Sequence, residues 1–107
     1  MTTARRGQVY SVDAGGERGR HYYVIVSNDV RNRLLDSVLG AMVTSTDKSR
    51  VPSAVELSPD DPVTGYVVAD VIDPLWEEEV AGRPRGVLSA PTMEKLDAAL
   101  KIAFDLT

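Results

Sequence analysis

An α+β fold is what this sequence predicts: a small five-stranded antiparallel SH3-like barrel with a C-terminal amphipathic helix. Three observations carry that expectation. Short apolar runs alternate with turn-forming segments along residues 7–72, and residues 89–104 repeat apolar side chains at three- and four-residue spacing. The length of 107 residues suits one domain, residues 1–107, that buries somewhat over ~60% of its unfolded surface and folds without disulfides or metal.

Gly7 to Asp13 places Val9, Ser11 and Asp13 on one side and Tyr10 and Val12 on the other, the alternation of a first strand. Ala14-Gly15-Gly16 breaks it. Tyr22 to Val26 is a continuous β-branched and aromatic run, a strand buried on both faces or nearly so. Asn28 to Asp36 is a polar loop with room for a helical turn, and Ser37 to Thr44 is a third strand in which Gly40 marks a bulge or a close backbone approach. Ala54 to Leu57, just after Pro52, suits an edge strand, because a proline cannot donate to a ladder.

Ser58 to Gly65 is turn chemistry, and Tyr66 to Ile72 is a fifth strand ended by Asp73-Pro74. Ser89 is the expected N-cap of the last element, with Pro91 in the first turn and Met93, Leu96, Leu100 and Phe104 on the buried face. Asp97 and Lys101 form an i,i+4 pair on another face.

The absence of cysteine excludes a thiol nucleophile and thiolate metal sites, and fits a reducing compartment. No run approaches the ~20 apolar residues of a membrane span, so a cytoplasmic protein with no membrane partner is expected. Net charge is −4, which argues against a uniformly basic nucleic-acid binder. Its distribution is uneven: residues 1–50 hold eight Lys/Arg against five Asp/Glu, and residues 51–107 hold four against eleven. A cationic face is therefore open to the first half of the chain.

That half contains the segment GERGRHYYVIVSND, where a loop with Glu17, Arg18, Arg20 and His21 runs into the second strand. A guanidinium, the chain's one imidazole and a carboxylate at the mouth of a rigid element are the parts needed to cut a phosphodiester without a metal. A solvated hairpin loop is the plain alternative. Thr44, Ser45 and Thr46 cluster hydroxyls where the third strand opens, placed either to hold a phosphate or ribose oxygen or to satisfy the turning backbone.

The order ARRGQVYSVD, a Gly-Glu loop, a cation entering an apolar strand that ends in Ser-Asn, then VTST, VPSAVEL, YVVADVI and a terminal helix resembles the MazF/PemK family of toxin endoribonucleases over nearly the whole chain. The resemblance implies a CcdB/PemK/MazF-like fold and a metal-independent, cofactor-free, sequence-specific endoribonuclease that cleaves single-stranded RNA. It also implies a homodimer neutralised by a cognate antitoxin. In that family an arginine at the start of the second strand and a threonine at the end of the third are catalytic, with a loop glutamate nearby; Thr44 and Glu17 match the last two.

Counting back from Ser27, the arginine position holds His21. Arg20 then supplies the guanidinium from a shifted loop, His21 takes over acid/base work, or activity is lost. Chemistry favours the first two together: a permanently charged guanidinium stabilises the phosphorane, whereas an imidazole, with an unperturbed pKa of about 6.5, moves the proton. In a strand the two would point to opposite faces, so Arg20 is expected to belong to the loop.

Arg18, Ser45 and Thr46 complete the expected RNA contacts together with Arg5 and Arg6, which flank the first strand and either touch the RNA backbone or belong to a solvated terminus. Asp70 is either a structural salt-bridge partner or an active-site carboxylate, and Trp76 is core or an interface anchor. Two other functions fit the same barrel: a non-enzymatic CcdB-like gyrase poison acting through its C-terminal residues, and a catalytically inactive RNA- or protein-binding module.

Overall fold

The computed structural model describes residues 1–106 apart from positions 14, 16 and 18. Its elements are β1 (Gln8–Asp13), β2 (Arg20–Ile25), α1 (Asp29–Leu34), β3 (Ser37–Thr44), β4 (Ala54–Glu56), β5 (Tyr66–Trp76), β6 (Gly86–Val87) and α2 (Ala90–Ala103), with a 3-10 turn at Glu77–Val80. All strands join one antiparallel sheet in the order β4-β5-β3-β2-β1-β6. The α+β class and the covering helix are those predicted, but the strands number six and the sheet is curled and open, because its edge strands β4 and β6 do not pair among the described residues.

Strand alternation explains how one sheet serves two cores. Val9, Val24, Ala41, Val43, Val55 and Val67 pack on one face beneath Leu96 and Ala99 of α2. Tyr10, Val12, Tyr23, Ile25, Val38 and Leu75 build the other core. Tyr23, Val24 and Ile25 are all fully buried, as the unbroken apolar run predicts. Gly40 is a close approach: an added Cβ would meet Leu75 Cδ1 at 2.7 Å and Tyr23 Cβ at 3.1 Å.

β5 does not stop at Asp73-Pro74 but runs on to Trp76, with Pro74 opposite Leu39. A proline is tolerated there because Leu39 bonds elsewhere: its N–H donates to Ser27 Oγ at 2.9 Å and its carbonyl accepts from Val26 N–H at 2.9 Å. The register shifts between Ala41 and Met42, so the bulge lies beside Gly40. In the bulged segment Asp70 is exposed and accepts from Ser53 Oγ at 3.2 Å, with no ion pair to a described residue, which removes the salt-bridge reading. Trp76 is 52% exposed and so is not core.

Buried Asn32 ties α1 to the sheet. Its side chain donates to the Ser27 carbonyl at 3.0 Å and accepts from Ser27 Oγ at 2.5 Å, while its own carbonyl accepts from Thr2 Oγ1 at 2.7 Å. A fully buried amide is tolerated because these groups are paired.

The buried stripe of α2 is Thr92, Leu96 and Ala99, flanked by Met93 and Leu100. Phe104 does not join it: the helix ends at Ala103, Asp105 takes a left-handed φ of 54°, and Phe104 is 56% exposed. Asp97 pairs with Arg6 at 2.7 Å instead of the expected Lys101.

The turn at residues 58–65 is fixed to the start of α2 by Asp61. Its carboxylate accepts from Ser58 N–H at 2.8 Å, Ser58 Oγ at 3.0 Å, Ser89 N–H at 2.8 Å and Thr92 Oγ1 at 2.7 Å. Burial pushes this carboxyl up, but the bonds from Ser89, Thr92 and Ser58 outweigh it and hold the pKa at about 2, below the free value of 3.8. A depressed carboxylate adds stability that is fully present above the unfolded value and disappears as pH falls through the folded one. Asp61→Ala is expected to cost about 2 kcal/mol near neutrality. In acid titrations followed by circular dichroism it should also flatten the fall in stability between pH 3.8 and about 2, a limb the parent protein should show.

Candidate functional site: a cationic cleft at the end of β2 and β3

The ladder between β2 and β3 ends at Tyr22↔Val43, and a cleft of about 650 Å³ opens there. Arg20, His21, Thr44, Ser45 and Thr46 all line it. Arg20 belongs to β2 and pairs with Asp13, and His21 pairs with Val12, so the expected shifted loop is absent and the two side chains leave the strand on opposite faces. Both still reach one cavity because it wraps around the strand ends.

The two faces supply different chemistry. His21 and Thr44 are the next residues along their strands beyond the last pair, Tyr22↔Val43, and both line the cleft. Thr44 Oγ1 accepts from Thr46 N–H at 3.2 Å, which fixes the hydroxyl and leaves its own proton to donate. On the other face Arg20 donates to Ser11 Oγ at 3.2 Å, and the Arg85 guanidinium lies 5.8 Å from the centroid of the Tyr22 ring.

Thr44 is held from outside the cleft as well. It pairs with Tyr66, and the preceding Gly65 has φ of 121°, with its Cα face pressed against the Thr44 carbonyl so closely that no Cβ fits. The Tyr66 phenol lies near Asp47 in the loop beyond Thr44. Burial first, then Asp47, raises the phenol, while the Ser49 N–H first, with Tyr66 adding, lowers Asp47.

The remaining expected contacts fall elsewhere. Glu17 is exposed and lines neither this cleft nor the cavity beside it, and Arg18 lies outside the described residues. Arg5 lines a separate cavity with Thr2, Asp29 and Arg33. Arg6 is a structural strut: its Nε donates to the Val26 carbonyl at 2.8 Å, its guanidinium pairs with Asp97 at 2.7 Å, and its N–H donates to Asp29 at 2.7 Å. Sequence reasoning missed Ser11, Tyr22, Thr64 and Arg85 in the cleft wall. The signal for Arg85 was the Arg83-Pro84-Arg85 run, two of the four cations in an acidic half. No group of three His, Asp or Glu side chains among the described residues could hold a metal ion. No helix there is long and apolar enough to cross a membrane.

The chain belongs to the family of PemK-like, MazF-like toxins of type II toxin–antitoxin systems, whose sequence model matches residues 5–104. It is 40% identical over 106 residues to Endoribonuclease MazF1 of Mycobacterium bovis and to Endoribonuclease MazF4 of Mycobacterium tuberculosis, covering 99% of this chain and 97% of each relative. Among solved structures it is similar to a mycobacterial endoribonuclease in complex with its cognate antitoxin, at 39% identity and a TM-score of 0.90 over 98% of both chains. A MazE–MazF structure from Deinococcus radiodurans, 19% identical with a TM-score of 0.80 over 97% of both chains, shares the fold.

Gly65→Ala tests the support of Thr44. A side chain there meets both an unfavourable φ and the Thr44 backbone, so thermal unfolding should show a loss of about 2 kcal/mol or more. Gly82→Ala, with nothing within 4 Å of its added carbon, should stay within ~0.5 kcal/mol. Equal melting of the two variants would refute the support.

Proposed function

We propose that this protein is an endoribonuclease toxin that cuts single-stranded RNA in the cleft beside Thr44 and is neutralised by a cognate antitoxin. The observation that carries the proposal is the cleft itself: a hydroxyl, an imidazole and two guanidinium groups around one cavity, in a chain 40% identical to proteins named endoribonucleases. Those names favour cleavage over gyrase poisoning. The solved relative bound to its cognate antitoxin supports the same kind of partner here. The active form is a homodimer, acting in the cytoplasm where its RNA lies.

The reaction is transfer to the RNA's own 2′-hydroxyl. His21 takes the proton from that hydroxyl, the 2′-oxygen bonds to phosphorus, and the bond to the 5′-oxygen breaks as that oxygen takes a proton from water at the open mouth of the cleft. The products are a 2′,3′-cyclic phosphate and a 5′-hydroxyl. Arg20 stabilises the negative charge that gathers on the phosphorane, and the Thr44 hydroxyl donates to one of its oxygens. Glu17, outside the cleft wall, is assigned no step. Every group in this scheme is an organic side chain, so cleavage proceeds in a chelator.

Purified protein incubated with a long single-stranded RNA in EDTA should leave discrete 5′ ends on sequencing, and Thr44→Ala should reduce them by about 10²-fold or more. Intact RNA at high protein concentration would refute the proposal. The division of labour between neighbours has its own readout. His21→Ala should slow cleavage by about 10²-fold or more and regain rate when free imidazole is added, whereas Arg20→Ala should slow it with no rescue by imidazole. An unchanged rate in His21→Ala would assign the proton transfer elsewhere.

A further inference from the structure

A second cavity of about 400 Å³ lies beside the cleft, lined by Tyr10, Ser11, Arg20, Glu79, Arg83 and Arg85 among others. It shares Ser11, Arg20 and Arg85 with the first, so the two form one continuous groove. Three guanidinium groups line its walls, and none is in an ion pair with a described residue. That is unexpected of a chain with net charge −4 whose residues 51–107 hold four cations against eleven acids. Uncompensated cations gathered along one groove call for an anionic ligand that extends along it.

The two distal arginines are prepared for that ligand. The Arg85 backbone N–H donates to the Val9 carbonyl at 2.7 Å, which ties the residue to β1. The guanidinium lies over the Tyr22 ring, 5.8 Å from its centroid, and lines both cavities. Gly86 follows with φ of 150°, where an added Cβ would stand 2.7 Å from Pro62, so the chain beyond Arg85 is also fixed in place. Pro84 stiffens the link to Arg83, which lines the second cavity only. The one carboxylate among the described residues of the groove wall, Glu79, accepts from Trp76 N–H at 2.8 Å, so one of its oxygens is already engaged.

We infer that Arg85 and Arg83 bind consecutive backbone phosphates flanking the cleaved one, so that the RNA strand leaves the cleft along the Arg83-Pro84-Arg85 segment and occupies both cavities. This inference rests on the proposed reading of the cleft as an RNA-cutting site. The contacts are to phosphate, so they set affinity and path without selecting bases.

The test measures binding of a fully 2′-O-methylated random 20-mer, which lacks the attacking hydroxyl, across about 50 to about 300 mM KCl. Each phosphate contact on a single strand contributes about 0.7 to the slope of log affinity against log salt. Arg83→Ala and Arg85→Ala should each reduce the slope by about 0.7 and weaken binding by roughly 3- to 10-fold at the lower salt. Arg85→Lys should retain the slope while binding more weakly, because the charge remains and the guanidinium fork is lost. Lys101→Ala, a cation lining neither cavity, serves as the control and should keep the parent slope. All three positions are exposed, and unfolding curves matching the parent verify that the four variants are folded.

A steep parent slope that survives intact in both alanine variants would overturn this path while leaving the RNA-cutting proposal standing. A reduced slope in Arg85→Ala alone would confine the strand to the first cavity and overturn the extension. A parent protein that neither binds this oligonucleotide nor cuts RNA overturns both.

Discussion

β2 has to fill two cores at once, and the rest of the molecule follows from how it does so. Neighbouring residues on a strand face opposite ways, so Tyr23 and Ile25 enter one core while Tyr22 and Val24 enter or border the other. The strand can satisfy both only by lying in the middle of the sheet, between β1 and β3. Its exposed start then falls where both partners also run out, and the cleft forms at that shared end. The same alternation that buries Tyr23 and Val24 separates Arg20 from His21, sending a guanidinium and an imidazole to different sides of one opening.

This geometry has a chemical advantage. A permanently charged guanidinium and an imidazole do different work on one phosphate, and placing the backbone between them lets each approach it from its own direction. Each group has its own surroundings: His21 and the Thr44 hydroxyl line the cleft together, and Arg20 bonds Ser11 within the set that includes Tyr22 and Arg85. A phosphate lodged at the strand ends would be approached by proton-handling groups from one side and by charge from the other.

Much of this was legible in the sequence, and what was not has physical causes. Strong alternation in β1, the unbroken run of β2 and the helical spacing of α2 announce themselves because each is long enough for its period to repeat. β6, two residues long, has no period to show and exists because β1 accepts it. β5 passes through Pro74 because Leu39 finds its hydrogen bonds elsewhere, which no local pattern records. Thr44, His21 and Arg20 were visible as polar residues at the ends of apolar runs. Ser11 and Arg85 reach the cleft through pairings of β1 with β2 and β6, so their sequence neighbourhoods looked like ordinary strand and loop. Arg6 looked like a free terminal cation until its carboxylate partner, Asp97, arrived from α2.

The turn at residues 58–65 touches the helix at one end and the cleft at the other. Asp61 grips Ser89 and Thr92, and Gly65 lies against the carbonyl of Thr44. Fraying of α2 at its start would therefore loosen the hydroxyl, and the two should open together as one cooperative unit with a common protection against exchange. Thr44 sits on a rim, where local motion is usually cheapest, yet it borrows its rigidity from a helix on the far side of the turn.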